Sequence, residues 1–293
     1  MLGIVPSQRG IWGCNTIDLQ RRRDRRMFPV TVDEVLVVRG GVKNEILWNA
    51  LEAAIERVAG AGLSPADIIK GQQGRQGNPE LRYRARVAFR TAYDLVNNLA
   101  KLRNRRKAVI YISSGYDFNP YAESRMEYQQ GLRSANGDSR YGFDTLAAMD
   151  QSSMQFSEAD LVQQLAELTN AANRANASFY TIDPRGLVAG PDIGDSSINI
   201  ASMDWQNHLT KTQNSLRVLA EETGGMAIIN RNNFEEALTR IDAETSDYYV
   251  LGYYSNNPDP LQRTRKLEVK VSRDDVDVNS RTSYSLQSPT SGQ

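Results

Sequence analysis

The stretch Ala108-Val109-Ile110-Tyr111-Ile112 is apolar at every position and lacks the alternation of a strand that has one face in water. Such a run predicts a strand covered by helices on both faces, which is the usual setting of strands in parallel sheets. Two further runs, less purely apolar, follow at Ala177 to Ile182 and at Met226 to Ile229. The three runs together predict a mainly parallel sheet.

Helical segments separate these runs. Asn78-Pro79 predicts the start of a long helix, because an Asn side chain caps free amide groups and Pro fits the first helical position. Apolar residues at three- and four-residue steps between Ile46 and Val58 predict an earlier helix. Ser157 with Asp160 predicts the start of another, and Thr223-Gly224-Gly225 predicts the end of a fourth. Alternating helices and strands predict a doubly wound α/β sheet.

The pattern changes after residue 246. Tyr248 to Tyr254, the alternating Leu267 to Val271, and Val276 to Tyr284 are three extended stretches joined by turn-rich segments. They predict a C-terminal antiparallel β appendage. The predicted organisation is a disordered or non-native arm over residues 1–26, an α/β domain over 27–246, the appendage over 247–286, and a disordered tail over 287–293.

The composition excludes several classes of protein. The 35 Lys and Arg residues balance the 35 Asp and Glu residues, so no net positive charge favours nucleic acid. The one Cys (Cys14) cannot form an internal disulfide, and the one His (His208) cannot form a multi-histidine zinc site. No apolar stretch reaches the roughly 18 residues of a membrane span. We expect no nucleic-acid partner and no transmembrane segment.

Candidate functional residues follow the first two apolar runs, at the edge where open α/β sheets bind ligands. Ser114 and Asp117 follow the first run, and Asp183, Asp192 and Asp195 follow the second. These acids could offer oxygen ligands to a hard cation. No GxSxG elbow and no phosphate-binding loop occurs in the sequence.

A serine triad at this edge would depend on the single histidine. His208 lies in a polar, weakly periodic stretch. We therefore expect an ordinary surface histidine and no catalytic residues.

Five segments follow one another at Arg106 to Asp117, Ala177 to Asp183, Leu219 to Gly225, Tyr248 to Tyr254 and Arg265 to Val271. In this order they closely resemble the bacterial VWFA-related domain family, a branch of the von Willebrand factor type A fold. The resemblance covers roughly Val42 to Leu286. The resemblance implies a Rossmann-like, doubly wound sheet followed by the β appendage. It also implies a ligand-binding or adhesion-like module, usually exported and without established catalytic activity.

Type A domains often bind a divalent ion through a DxSxS loop, a Thr and an Asp from three separate elements, and the resemblance is poor at all three. No DxSxS occurs, and Gly77-Asn78-Pro79 stands where the Thr is expected. The third element has Ser114-Gly115 in place of Asp-Gly, with Asp117 as the nearby carboxylate. We expect a degenerate metal site of Ser114 and Asp117, weak or absent binding of Mg²⁺ or Ca²⁺, and no cofactor.

The missing DxSxS element also removes the central strand that the resemblance implies beside Ala108 to Ile112. A strand left with an open edge would expose a row of backbone groups. Either Phe28 to Val38 supplies a substitute, or the chain is the carboxyl-terminal part of a longer, extracytoplasmic protein. The basic run Arg21 to Arg26, within a segment that lacks any regular period, favours truncation. An in-frame signal peptide and DxSxS segment upstream of Met1 would confirm it.

The leading hypothesis is a noncatalytic protein-interaction module with a degenerate metal site and a protein ligand. Its interaction loops carry Tyr116, Asp117, Asn119, Asp183, Asp192 and Asp195. The alternatives are a metal-dependent, hydrolase-like enzyme that uses Ser114, Asp117 and Asp183, or a truncated, nonfunctional fragment.

Overall fold

The computed structural model describes most of the chain from residue 53 to residue 251 and short segments on either side. The described residues are 4–6, 34–38, 53–59, 63–71, 78–102, 106–135, 143–188, 190, 199–246, 249–251, 264–273, 275, 278, 280–281 and 283–285. Asp192 and Asp195, two of the predicted interaction residues, lie outside them.

Helices and strands alternate through the middle of the chain. In chain order the elements are β1 (Ile4–Pro6), β2 (Glu34–Val38), α1 (residues 53–59), α2 (Pro65–Lys70), α3 (Pro79–Ala100), β3 (Lys107–Ile112), α4 (Ala122–Ala135), α5 (Phe143–Ala175), β4 (Ala177–Ile182), α6 (Ser202–Glu222), β5 (Ala227–Ile228), α7 (Phe234–Ser246), β6 (Tyr249–Leu251), β7 (Thr264–Lys266) and β8 (Ser283–Ser285). Among these helices, none combines the length and the apolar character that crossing a membrane requires.

The main sheet has the strand order β2-β3-β4-β5. β3, β4 and β5 are parallel, with Ile110 opposite Tyr180 and Ile182 opposite Ile228. The prediction of a mainly parallel sheet from three apolar runs is therefore confirmed. The run at Met226 to Ile229 contributes a shorter strand than expected, of two residues.

β2 covers the other edge of β3. It runs antiparallel, with Val37 opposite Val109 and Glu34 opposite Ile112. Of the two alternatives for this edge, the structure has the substitute strand, within Phe28 to Val38, and its direction is opposite to that of β3 and β4. The backbone groups of β3 are thus paired on both sides.

Helices pack on both faces of the sheet, because successive side chains of a strand point to opposite faces. Val109, Tyr111 and Phe179 are buried with α3, α5 and α6 on one face. Ile110 and Tyr180 are buried with α1 and α7 on the other. Burial of an apolar side chain on this scale contributes about 1.5 to 3 kcal/mol. The protein is therefore a mixed α/β structure in three layers.

The helix start predicted from the sequence is confirmed for α3 and is wrong for α5. The Oδ1 atom of Asn78 accepts a hydrogen bond from the Glu80 amide at 2.9 Å, as a cap should. The predicted helix start at Ser157 is wrong, since α5 begins at Phe143. Asp160 does not cap a helix there, because its carboxylate pairs with Arg82 of α3 at 2.5 Å.

The C-terminal strands form two separate pairs in the described residues. β6 pairs antiparallel with β1, and β7 pairs antiparallel with β8. β7 ends at Lys266, whereas the alternating residues Leu267 to Val271 follow it without strand structure. A three-stranded appendage stays a prediction.

Candidate functional site

The carboxyl ends of β3 and β4 meet at one edge of the sheet, because Ile112 and Ile182 are paired residues. The chain that follows each strand turns outward there, and α6 crosses between the two loops. A cavity of about 600 Å³ opens between these loops, α6, and residues of α1, α2 and α3. Its size lies within the range of about 300 to 1,000 Å³ that is typical of ligand sites.

The loop after β3 is fixed to α6 by backbone contacts. Gly115 has a φ of +78°, and a Cβ atom there would lie 2.1 Å from the carbonyl oxygen of Thr212. The Tyr116 amide donates to the Ser215 hydroxyl at 2.9 Å. Ser113 accepts from the Gly115 amide at 3.0 Å. This close approach holds Ser114 and Asp117 at the cavity wall.

Asp117 and His208 form a pair on that wall. His208 Nδ1 lies 3.0 Å from Asp117 Oδ2, and the side chains are 15% and 4% exposed. Asp117 Oδ1 also accepts from the Asn119 amide at 3.1 Å. The expectation of an ordinary surface histidine is wrong, because α6 turns His208 toward the sheet edge.

A second ionic pair follows β4. Arg185 donates from Nε and Nη2 to the two carboxylate oxygens of Asp183, at 2.9 and 2.8 Å. Nη2 also donates to the Thr212 hydroxyl at 3.0 Å. Asp183 is fully buried, while Arg185 is 19% exposed and lines the cavity. The carboxylate is therefore enclosed, and the guanidinium lies between it and the cavity.

Aromatic side chains complete the wall. The ring of Tyr121 stacks with Trp205 at a centroid distance of 6.2 Å and lies 4.8 Å from the ring of His208. Burial raises the pKa of Tyr121, and the nearby negative charge of Asp117 raises it further. Arg125 fixes this segment by donating from Nε to the Pro120 carbonyl at 2.9 Å.

Replacing Tyr121 by Phe is expected to make the protein less sensitive to alkali. The folded pKa lies above that of an unfolded tyrosine, about 10, so the unfolded state loses the proton first. The stabilisation that protonated Tyr121 contributes is therefore complete below pH 10. Above pH 10 its contribution to the free energy of unfolding falls by about 1.4 kcal/mol per pH unit. Urea unfolding between pH 9 and 11 measures the slope.

Tyr83→Phe is the matched control, because the Tyr83 ring is exposed on α3. We expect the wild type and this control to lose stability with the same slope, and the Tyr121 variant to lose it more slowly. Equal slopes for all three proteins would contradict the burial of Tyr121.

The structure brings together some of the predicted site residues and encloses others. Ser114, Tyr116 and Asp117 line the cavity. Asn119 is buried, with its side-chain oxygen bonded to Arg125, and Asp183 is buried against Arg185. These two side chains are bonded within the protein, and Arg185 lines the cavity where Asp183 does not.

The predicted metal site has few ligands in the part of the chain that the structure describes. No group of three or more His, Cys, Asp and Glu side chains is placed there to hold a metal ion. Asp117 bonds to His208, and Asp183 bonds to Arg185. Both carboxylates are thus directed at cationic or proton-bearing groups of the protein itself.

Sequence reasoning missed Arg185, Trp205 and Thr212. A signal for two of them was present, because Trp205, His208 and Thr212 are spaced by three and four residues and share one face of α6. Arg185 lies two residues after Asp183, a spacing that a turn can close. Neither spacing reveals which residues of the other loop are contacted.

Comparison of the chain with protein-family models, with curated proteins and with solved structures finds no match. The geometry of the cavity therefore carries the functional inference.

Proposed function

We propose that the chain is a noncatalytic protein-binding module of the von Willebrand factor type A kind, with a Rossmann-like core and a degenerate metal site. Its docking face is the rim of the cavity at the carboxyl ends of β3 and β4. The observation that carries the proposal is that Asp117 and Asp183, the acids at this edge, bond to His208 and Arg185.

These pairs oppose the binding of a divalent cation. Mg²⁺ and Ca²⁺ need several oxygen ligands, and carboxylates supply the compensating charge. A cation at Asp183 would have to displace Arg185, which would leave a largely buried guanidinium without its partner. Breaking a buried pair in this way costs about 3 to 5 kcal/mol. The edge therefore favours contact with a ligand through side chains over contact through a metal.

The position and lining of the cavity support a docking role. Open α/β sheets bind their ligands beyond the carboxyl ends of the strands. The wall combines aromatic side chains, such as Trp205, with a few polar groups that converge. Leu187, a large apolar side chain that is 68% exposed, lies at the rim. Its place at the rim of a mixed cavity gives a protein ligand apolar surface to bury there.

Site-specific photo-cross-linking tests the docking face. p-Benzoylphenylalanine is placed at Leu187, and at Val162, which is 66% exposed on α5 outside the cavity lining. In extracts of the native host, we expect a discrete protein adduct from the Leu187 position and none of that mass from Val162. The adduct should form equally in Mg²⁺ and in EDTA, because the acids at the edge already have partners.

The captured protein is identified by mass spectrometry, purified, and titrated with Leu187→Ser and Val162→Ser variants. We expect binding to weaken by about tenfold or more for Leu187→Ser and to remain unchanged for Val162→Ser. The same adducts at both positions, or an adduct that EDTA abolishes, would contradict the proposal.

An acid–base role for His208 is the second candidate, and the pair with Asp117 favours it. A carboxylate on Nδ1 orients the ring and leaves Nε2 for proton transfer. Ser114 also lines the cavity, but among the described residues its hydroxyl makes no hydrogen bond to His208. Hydrolysis of p-nitrophenyl acetate above the buffer rate, lost in His208→Gln, would favour an enzyme over a docking module.

A further inference from the structure

Some charged side chains line the cavity, and others are enclosed behind them. Arg185 and His208 line the cavity, whereas Asp183 is fully buried behind Arg185. Asp117 lines the wall, but only 4% of its side chain is exposed, beside the more exposed His208. A ligand would therefore meet the guanidinium of Arg185 before the Asp183 carboxylate, and at the Asp117 pair it would meet mainly the imidazole of His208.

Arg84 adds a second cation to the lining. Its Nε atom pairs with Glu80 of the same helix at 2.8 Å. Glu80 lies outside the cavity lining and has the more exposed side chain of the two. Among the described residues, the charged lining thus comprises Arg84, Arg185 and one enclosed carboxylate, Asp117. Because both arginines line the cavity and the carboxylates that pair with them do not, the lining itself complements an anionic group.

Arg185 is held in place and, among the residues that the structure describes, has one donor group without a partner. Its Nε and Nη2 atoms are bonded to Asp183 and Thr212. Among the described residues, Nη1 makes no hydrogen bond. A guanidinium that is already fixed loses little conformational freedom when a ligand binds, and its Nη1 group can donate to an oxygen of a carboxylate.

The remaining wall is apolar. Leu63, Ile68 and Leu81 line it on the side of α2 and α3, and Tyr121 and Trp205 line it near α6. A small inorganic anion would leave this surface uncovered. An anion joined to an apolar or aromatic group would cover it and gain the free energy of burying apolar area.

We propose that the cavity recognises a carboxylate joined to an apolar or aromatic group, which the partner protein supplies as the carboxyl terminus of a chain that ends in an apolar or aromatic residue. Arg185 donates to the carboxylate from Nη1, and the aromatic wall packs against the apolar group. This ligand chemistry rests on the docking function proposed above and names what that function recognises.

Three probes of nearly one shape test the proposal: 3-phenylpropionate, the neutral 3-phenylpropionamide and the cationic 3-phenylpropylamine. His208 is the single histidine of the sequence, so its imidazole NMR signals report on the cavity without ambiguity. We expect the carboxylate to shift these signals with a Kd about tenfold or more below that of the amide, and the amine to leave them unchanged.

Two variants test whether the preference for the carboxylate over the amide depends on Arg185. In Asp183→Asn/Arg185→Met, which removes the whole ion pair, the carboxylate and the amide should bind equally. In Arg217→Met, which removes an exposed cation of α6 outside the cavity lining, the tenfold preference should remain.

The wild-type protein alone can overturn the proposal. Equal binding of the carboxylate and the amide, tighter binding of the amine, or no shift at millimolar concentrations of any probe would each do so. If cross-linking at Leu187 persists alongside such a result, the ligand chemistry is rejected and the docking function stands. If the cross-link is absent as well, both proposals are rejected.

Discussion

Replacing Gly225 by Ala is expected to lower the free energy of unfolding by about 3 kcal/mol or more, or to prevent folding. A Cβ atom at this position would lie 1.8 Å from the carbonyl oxygen of Phe179 and 2.6 Å from its carbonyl carbon. Phe179 is fully buried in β4, which is paired with β3 on one side and with β5 on the other. Backbone in that position cannot move aside as a flexible side chain can.

Gly131→Ala is the matched control. Gly131 lies in α4, is exposed, and has no atom within 4 Å of the position that a Cβ would take. Because Ala favours a helix interior over Gly, this variant should be more stable by about 0.5 to 1 kcal/mol. Urea unfolding followed by circular dichroism measures both changes. A Gly225→Ala protein as stable as the wild type would contradict the packing of the α6–β5 turn against β4.

The parts of the fold that the sequence predicts are those with a local cause. β3 and β4 follow from uninterrupted apolar runs, and the start of α3 follows from Asn78 and Pro79. The start of α5 could not be predicted in this way. Ser157 and Asp160 resemble a cap, but Asp160 has its partner in Arg82, 78 residues away in the sequence. A contact between helices overrode the local signal.

The direction of β2 is a second feature that depends on distant contacts. Its β-prone residues predict a strand, but propensity does not distinguish parallel from antiparallel pairing. The same holds for the C-terminal strands, where β6 pairs with β1 instead of with a neighbour in sequence. Local patterns indicate that a segment is extended, and the rest of the fold decides which strand it joins.

The sequence predicts where the candidate site lies, but it does not predict which side chains pair with each other there. Parallel strands have their carboxyl ends at one edge, which is why Ser114 and Asp117 lie beside the cavity. The partner of Asp117 is His208, 91 residues away, and no short spacing connects them. Asp183 and Arg185 are near neighbours in sequence. The effect of their pair on stability depends on burial, however, and the surrounding layers of the fold provide that burial.

The second large effect is expected at that buried pair. Asp183→Asn should lower the free energy of unfolding by about 3 kcal/mol. The Asp183 carboxylate accepts from Arg185 Nε, from Nη2 and from the Arg185 amide, with the last bond at 3.1 Å. An amide in its place offers one acceptor and turns two N–H groups toward a guanidinium. The positive charge then stays largely buried without its counter-charge.

The exposed pair of Arg273 and Asp275 provides a control of the same geometry. It has the same two-residue spacing and the same two bonds, from Nε and Nη2, at 3.2 and 3.0 Å. Because both side chains are in water, Asp275→Asn should leave stability unchanged within error. If the two Asp→Asn variants lose equal stability, burial is not the cause of the effect at Asp183.

The double variant Asp183→Asn/Arg185→Met separates the loss of a favourable bond from the creation of an unpaired charge. Removing both charges leaves no uncompensated group, so most of the stability lost in Asp183→Asn should return. If Asp183→Asn lost stability only because a favourable bond was lost, the double variant would be no more stable than the single variant. Recovery would mean that the unpaired guanidinium of Arg185 causes the loss, so that Asp183 stabilises the cation that a carboxylate ligand would meet at the cavity wall.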